Sequence, residues 1–333
     1  MSFMSGKTGD LTVTTALTIS APGVSLLIPS LISNAGAAAA QHTLEFFTAR
    51  IPNAHTREAY GRAVFRFCAW CDVHSVVLTA ITSPIVAAYL QSLQTDLSVA
   101  STKQHLAALR HWLDWLTERG VLSVNPAASV RGPRHVVHEG KTPVLEREQA
   151  KRLLASIDGG DVASLRDRAL IAVMLFGFVR VGAVVKMRVR DFDDEGSDAW
   201  LVLQEKGGKA RRIPAHHLVR EALRAYVAAA ALEARSKGAL FQSAPRGGAA
   251  LSGKALGRSD VWAMVKRRCV VAGLPSTICN HSFRATGITI HQENGGRIED
   301  AAELAGHSST RTTQLYNRKL RNVARAEVER VQL

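Results

Sequence analysis

The stretch Asn280-His281-Ser282-Phe283-Arg284-Ala285-Thr286-Gly287, followed by Leu304-Ala305-Gly306-His307 and then Thr312-Thr313-Gln314-Leu315-Tyr316, decides how this chain is read. His281 and Arg284 are three residues apart, so a helix carries both on one face. An imidazole moves protons near neutral pH. A guanidinium grips a phosphate through two parallel hydrogen bonds and keeps its charge. Gly306 to Ser309 reads as a turn with Ser309 as the N-cap of the next helix. Tyr316, nine residues after His307, is expected on that helix and close to the imidazole. Taken singly, His-x-x-Arg is more often a surface pair, and a lone tyrosine on a helix is usually core. In this order, the three pieces assemble groups suited to phosphate chemistry with a tyrosine nucleophile.

His281-x-x-Arg284, Leu304-x-Gly306-His307 and the step to Tyr316 resemble the C-terminal signature of the tyrosine recombinase, or phage integrase, family. The run Phe283 to Thr289 resembles members carried on bacterial mobile elements. The resemblance covers about residues 41 to 320. It implies site-specific DNA strand exchange through 3′-phosphotyrosyl links and free 5′-hydroxyls. It further implies four protomers on two double-stranded DNA sites with inverted repeats. His281 would accept a proton, Arg284 would hold phosphate oxygens, His307 would donate to the phosphate, and Tyr316 would attack.

Bulk properties agree with a polyanionic partner. The chain has 333 residues, enough for about two domains, and its formal net charge is +14 with pI about 10.2. Hydrophobic residues make up 47%, so each domain can bury a core. No run of about 18 apolar residues predicts a membrane span. Gly23 to Ile32 is interrupted by Ser25, Pro29 and Ser30 and lacks the flanks of a signal peptide. Cys68-Ala-Trp-Cys71 has redox or zinc spacing, but no second close pair completes a zinc site. These two, Cys269 and Cys279 read as reduced thiols of a cytoplasmic protein.

The expected fold is mainly α with a small antiparallel sheet. Residues 1–40, rich in Ser, Thr, Gly and Ala, read as a poorly ordered tail. Residues 41–134 read as a helical bundle. One stripe runs through Tyr60, Val64, Phe67, Cys68 and Cys71. A second runs through Ile85, Tyr89 and Leu93 behind Pro84, and a third from Leu106 to Leu116 stops at Gly120. Lys103 and Arg110 lie off the third stripe and are candidate DNA contacts, although a solvated face explains them equally well. The resemblance places a helical core-binding domain here. Residues 135–143, broken by glycine and proline, read as a linker.

The second domain is expected over 144–333. Helices are predicted over 146–157 and 165–176, strands over 186–192, 199–204 and 210–213, and a hairpin around Lys206-Gly207-Gly208-Lys209. The family carries its first catalytic arginine after such an apolar helix, and Arg180 matches it. Many members have an acidic residue three positions later, where this chain has Ala183. The family also keeps a mobile catalytic lysine in such a hairpin. Lys206 fits, with Lys209 second, as the acid for the departing sugar oxygen. Lys209, Arg211, Arg212 and Lys254 are further candidate DNA contacts. Gly248-x-x-x-x-Gly253-Lys254 imitates a phosphate-binding loop, but Ala255 lacks the magnesium hydroxyl and no strand precedes it, so nucleotide binding is rejected. After Tyr316, Val328 and Val331 form a small apolar pair in a tail that the resemblance would dock on a neighbouring protomer.

No carboxylate cluster with metal-ligand spacing accompanies the basic groups, so a two-metal nuclease is disfavoured and no cofactor is expected. Two rival readings stay open: type IB topoisomerase-like relaxation of DNA, and a non-catalytic DNA-binding accessory protein. Ala183 is the one feature that favours the second.

Overall fold

The computed structural model describes residues 17–21, 24–134, 140–157, 160–204, 210–232, 236–244 and 251–316. Its contacts divide into two compact units, Met1–Val136 and Val137–Leu333, and the division falls within the expected linker.

The first unit opens with an antiparallel hairpin, β1 (Leu17–Ala21) and β2 (Val24–Ile28), and two short helices, α1 (Ser30–Ser33) and α2 (Ala37–Glu45). Over residues 28–40 this corrects the expected tail, whose residues 1–16 lie outside the described ones: Ile28, Leu31, Ile32, Ala39 and Ala40 are buried in the core of this unit. Sequence periodicity misses them because α1 is a single turn, too short to show a repeat. A π turn over Phe46–Arg50 leads to α3 (Ala54–Val73), capped by the Asn53 side chain. Then come α4 (Ser83–Leu93), with Pro84 in its first turn, and α5 (Val99–Glu118), capped by Ser98. The predicted stripes face inward: Val64, Phe67, Cys68, Cys71, Tyr89, Leu109, Leu113 and Leu116 are all buried. Trp112, fully buried, donates its indole N–H to Thr43 at 3.1 Å, which satisfies its only polar atom.

The second unit is mainly helical with a small sheet. Its helices begin with α6 (Arg147–Ala155) and α7 (Val162–Phe176). Helix α7 is almost entirely buried because neighbours cover it on several sides, as its near-continuous apolar run requires. After the four-residue α8 (Val181–Val184), the sheet is built as β3 (Phe192–Asp193), β4 (Trp200–Gln204) and β5 (Ala210–Pro214), antiparallel in that order. The strand expected over 186–192 is corrected. Val189–Asp191 is a 3-10 turn, Arg188 makes an isolated bridge to Ala239, and of this range Phe192 alone belongs to a strand, at the start of β3. Its apolar residues alternate as in a strand, but Met187 and Val189 are buried from a turn. Helices α9 (His217–Ala229), α10 (Arg258–Val271), α11 (Asn280–Glu293), α12 (Ile298–Ala305) and α13 (Thr310–Gln314) complete the unit. Among the described residues no helix is long and apolar enough to cross a membrane.

Candidate active site

Helix α11 lies against α7, and the contact is unusually close at Gly287. A Cβ added there would come within 2.0 Å of the Leu175 carbonyl and 2.7 Å of the Phe178 ring. This approach brings Arg284, one helical turn earlier, to the end of α7. The Arg284 side chain is 1% exposed, which only a fully hydrogen-bonded guanidinium tolerates. Its Nη1 donates to the Phe178 carbonyl and its Nη2 donates to His307 Nε2.

Phe178 supplies that carbonyl from a left-handed backbone, φ 51°, that bulky residues rarely adopt. Its ring joins a small apolar cluster with Ile288, Ala301 and Ala305, against which Leu304 and Tyr316 pack. Two residues later, Arg180 ends the turn in extended backbone and caps α8, where its carbonyl accepts from the amides of Ala183 and Val184. Ala183 is buried in the apolar core, so packing fills the place where many family members carry an acid.

His307 is set by the end of α12. Gly306 is left-handed (φ 62°, ψ 43°), and the amides of Gly306 and His307 return to the carbonyls of Glu303 and Ala302, each at 2.9 Å. This closure turns the chain so that the imidazole faces Arg284. Its Nδ1 lies 2.8 Å from the hydroxyl of buried Thr313 on α13. Loss of water comes first among the causes that pull its pKa down to about 4, followed by Arg284, Arg180 and Arg211. His281 opens the same face of α11 and is exposed at its edge. The protein around the ring removes part of its water, and Arg284 and Arg180 repel its proton, so its pKa is also lowered. Both imidazoles therefore lie within the field of both guanidiniums.

Tyr316 sits just past the C-cap of α13 rather than on the helix. Ser309 caps α13 as expected, accepting from the Arg311 amide at 3.2 Å. The tyrosine ring lies parallel to His307, with centroids 6.1 Å apart and planes 2° apart. Its backbone is tied down: Thr289 Oγ1 donates to the Tyr316 carbonyl at 3.0 Å, and the Gly140 amide donates to the Leu315 carbonyl at 3.0 Å.

Arg180, His281, Arg284, His307 and Tyr316 are thus brought together from α8, α11, the turn after α12 and the end of α13. Lys206 and Lys209 lie outside the described residues, as do Val328 and Val331. The strands flanking the lysines are in place, with Gln204 paired to Ala210. Arg110 is partly buried. It donates to the carbonyls of Ala127, at 3.1 Å, and Val130 within its own unit. Arg211 donates to carbonyls of α12. Arg212 pairs with Asp193 at 2.9 Å and lies over the Trp200 ring. Lys103 and Lys254 are exposed. Sequence reasoning missed Phe178 and Thr313. Neither a backbone angle nor an acceptor for an imidazole leaves a mark in periodicity, although Thr313 does lie three residues before the tyrosine.

A helical unit followed by a helical unit carrying a three-stranded sheet, with two arginines, two histidines and a tyrosine gathered in the second, is the architecture of tyrosine recombinases. The chain belongs to the phage integrase family: residues 143–322 match that family, and residues 45–120 match its N-terminal SAM-like domain. Tyrosine recombinase XerC of Ralstonia pickettii is 30% identical over 281 residues, covering 79% of this chain and 83% of the relative. Tyrosine recombinase XerD of Corynebacterium glutamicum is 30% identical over 276 residues, covering 79% and 87%. Among solved structures, the XerH site-specific recombinase bound to difH substrate in a pre-cleavage complex superposes with a TM-score of 0.64 at 20% identity, covering 89% of this chain and 84% of that one. A lambda integrase dimer bound to a COC′ core site superposes at 0.62 with 16% identity, covering 84% and 93%.

Proposed function

We propose that this protein is a site-specific DNA recombinase in which Tyr316 is the nucleophile. The phenolic oxygen attacks a DNA phosphate, a 3′-phosphotyrosyl ester forms, and the 5′-oxygen leaves as a hydroxyl. One phosphate ester replaces another, so the reverse attack by a 5′-hydroxyl rejoins strands without ATP. The observation that carries this reading is the convergence of Arg284, His307 and Tyr316, with Arg180 and His281 in the same field.

Each group has a chemical task. A free phenol has a pKa of about 10, so Tyr316 needs a proton acceptor. His281, neutral because its pKa is lowered, supplies one. Arg180 and Arg284 hold the non-bridging oxygens as charge shifts in the transition state. Lys206 is assigned the proton donation to the leaving oxygen, as the family resemblance implies. Fixed cations take the part that magnesium plays in two-metal nucleases, so cleavage proceeds in chelator.

The assembly is read as four protomers on two DNA sites with inverted repeats, in the cytoplasm, serving a mobile element. A lambda integrase tetramer bound to a Holliday junction, of similar fold at a TM-score of 0.62, supports the four-protomer reading. The test is a nicked suicide substrate carrying the site, incubated in EDTA. A protein–DNA adduct resistant to denaturant is expected. Relaxation of site-less plasmid by monomer would instead make the protein a topoisomerase-like enzyme, and selective binding without any adduct would make it an accessory factor.

A further inference from the structure

The strand that leaves the lysine-bearing hairpin, β5, carries Arg211 as its second residue. In the sequence this arginine reads as a DNA contact. In the fold it is half-buried, and its Nη1 donates to the carbonyls of Glu303, at 3.3 Å, and Leu304. These carbonyls belong to the last turn of α12, the negative end of the helix dipole, where a cation is favoured. The Glu303 carbonyl is the same one that accepts from the Gly306 amide to close the left-handed turn. The next residue is His307.

We propose that Arg211 is a positioning residue: from the strand after the hairpin it clamps the end of α12 and so holds the Gly306–His307 turn, rather than touching a phosphate. This rests on the proposed role of His307. The clamp joins β5 to the end of α12 through the Arg211 side chain. Its charge also adds to the field of Arg284 and Arg180 around the imidazole.

The two roles separate experimentally. A phosphate contact contributes about 0.9 to the log–log salt slope of DNA binding and nothing to cleavage once DNA saturates. A positioning residue does the opposite. In Arg211→Ala, single-turnover cleavage of a nicked suicide substrate at saturating DNA should fall on the order of a hundredfold, the cost of misplacing a reacting group by about 1 Å. The salt slope should stay at its wild-type value. Arg211→Lys, which keeps one cationic donor, should recover most of the rate. Amide hydrogen exchange of Gly306 and His307 should accelerate in Arg211→Ala and be restored in Arg211→Lys, with global unfolding unchanged. A salt slope lower by about one with undiminished saturated cleavage would overturn the proposal. If the wild type forms no adduct, the recombinase reading fails, and the clamp then stands or falls on the exchange of those two amides. Should Arg211→Ala fail to fold, Arg211→Gln, which removes the charge and keeps an N–H donor, carries the comparison, and wild-type exchange with a salt slope lower by about one would sink the proposal.

Discussion

Arg284 and His307 meet nitrogen to nitrogen, and that contact fixes the state of the imidazole. A guanidinium only donates, so His307 Nε2 must accept, which leaves the proton on Nδ1, where Thr313 Oγ1 accepts it at 2.8 Å. An imidazolium could not accept from Arg284. The pKa, pulled down to about 4 first by lost water and then by the arginines, agrees with that neutral form. Without DNA, Arg284 is engaged by a histidine and by the Phe178 carbonyl. In the proposed reaction, an arriving phosphate would exchange the histidine for a stronger, charged acceptor.

That exchange is measurable. DNA phosphate offsets the guanidiniums of Arg284, Arg180 and Arg211, so the His307 pKa should rise from about 4 when the site is occupied. Nitrogen-15 spectra of labelled histidine, recorded with and without DNA, follow it. An identical titration in both states would separate His307 from the phosphate.

The same shift has a stability consequence. His307 is lowered from 6.5 to about 4, so between those values the unfolded chain binds the proton that the folded chain refuses. Its contribution is present above pH 6.5 and is lost as pH falls toward 4. Urea unfolding at pH 7 and pH 5 should show this loss, reduced in His307→Gln. The lowered pKa values of His105, His216 and His281 act with the same sign, so an acid-dependent remainder is expected.

Tyr316→Phe should fold normally and form no adduct on a suicide substrate. The structure ties residue 316 through its carbonyl and ring, both of which phenylalanine keeps. Adduct of wild-type yield, read on a denaturing gel, would reject this residue as nucleophile.

Arg180→Ala should retain DNA binding and lose about a hundred- to thousandfold in cleavage rate, the usual cost of one donor to a developing charge. Arg284→Lys should lose comparably, because one ammonium cannot hold the Phe178 carbonyl and a phosphate in the fork geometry of a guanidinium. Single-turnover rates at saturating DNA test both.

Gly287→Ala should destabilise the second unit by about 1–3 kcal/mol, because the added methyl must displace backbone at Leu175 and the ring of Phe178. Thermal unfolding measures the loss. A neutral substitution would show that α11 and α7 can part without cost.

What the sequence determined by itself is the set of parts and their order. Arginines, histidines and a tyrosine are residue types at spacings that survive any folding detail, and the apolar stripes of α3, α4 and α5 are read from periodicity because one helix face meets one core. Only the tertiary structure decided what each part touches. Residues 28–40 joined a core because their apolar side chains found partners distant in sequence. Arg110 and Arg211, indistinguishable on paper from DNA contacts, donate to backbone carbonyls. Phe178 holds a backbone angle that no pattern announces. A charge in a sequence specifies what a side chain can bind, while the acceptor it finds depends on backbone brought close from elsewhere in the fold.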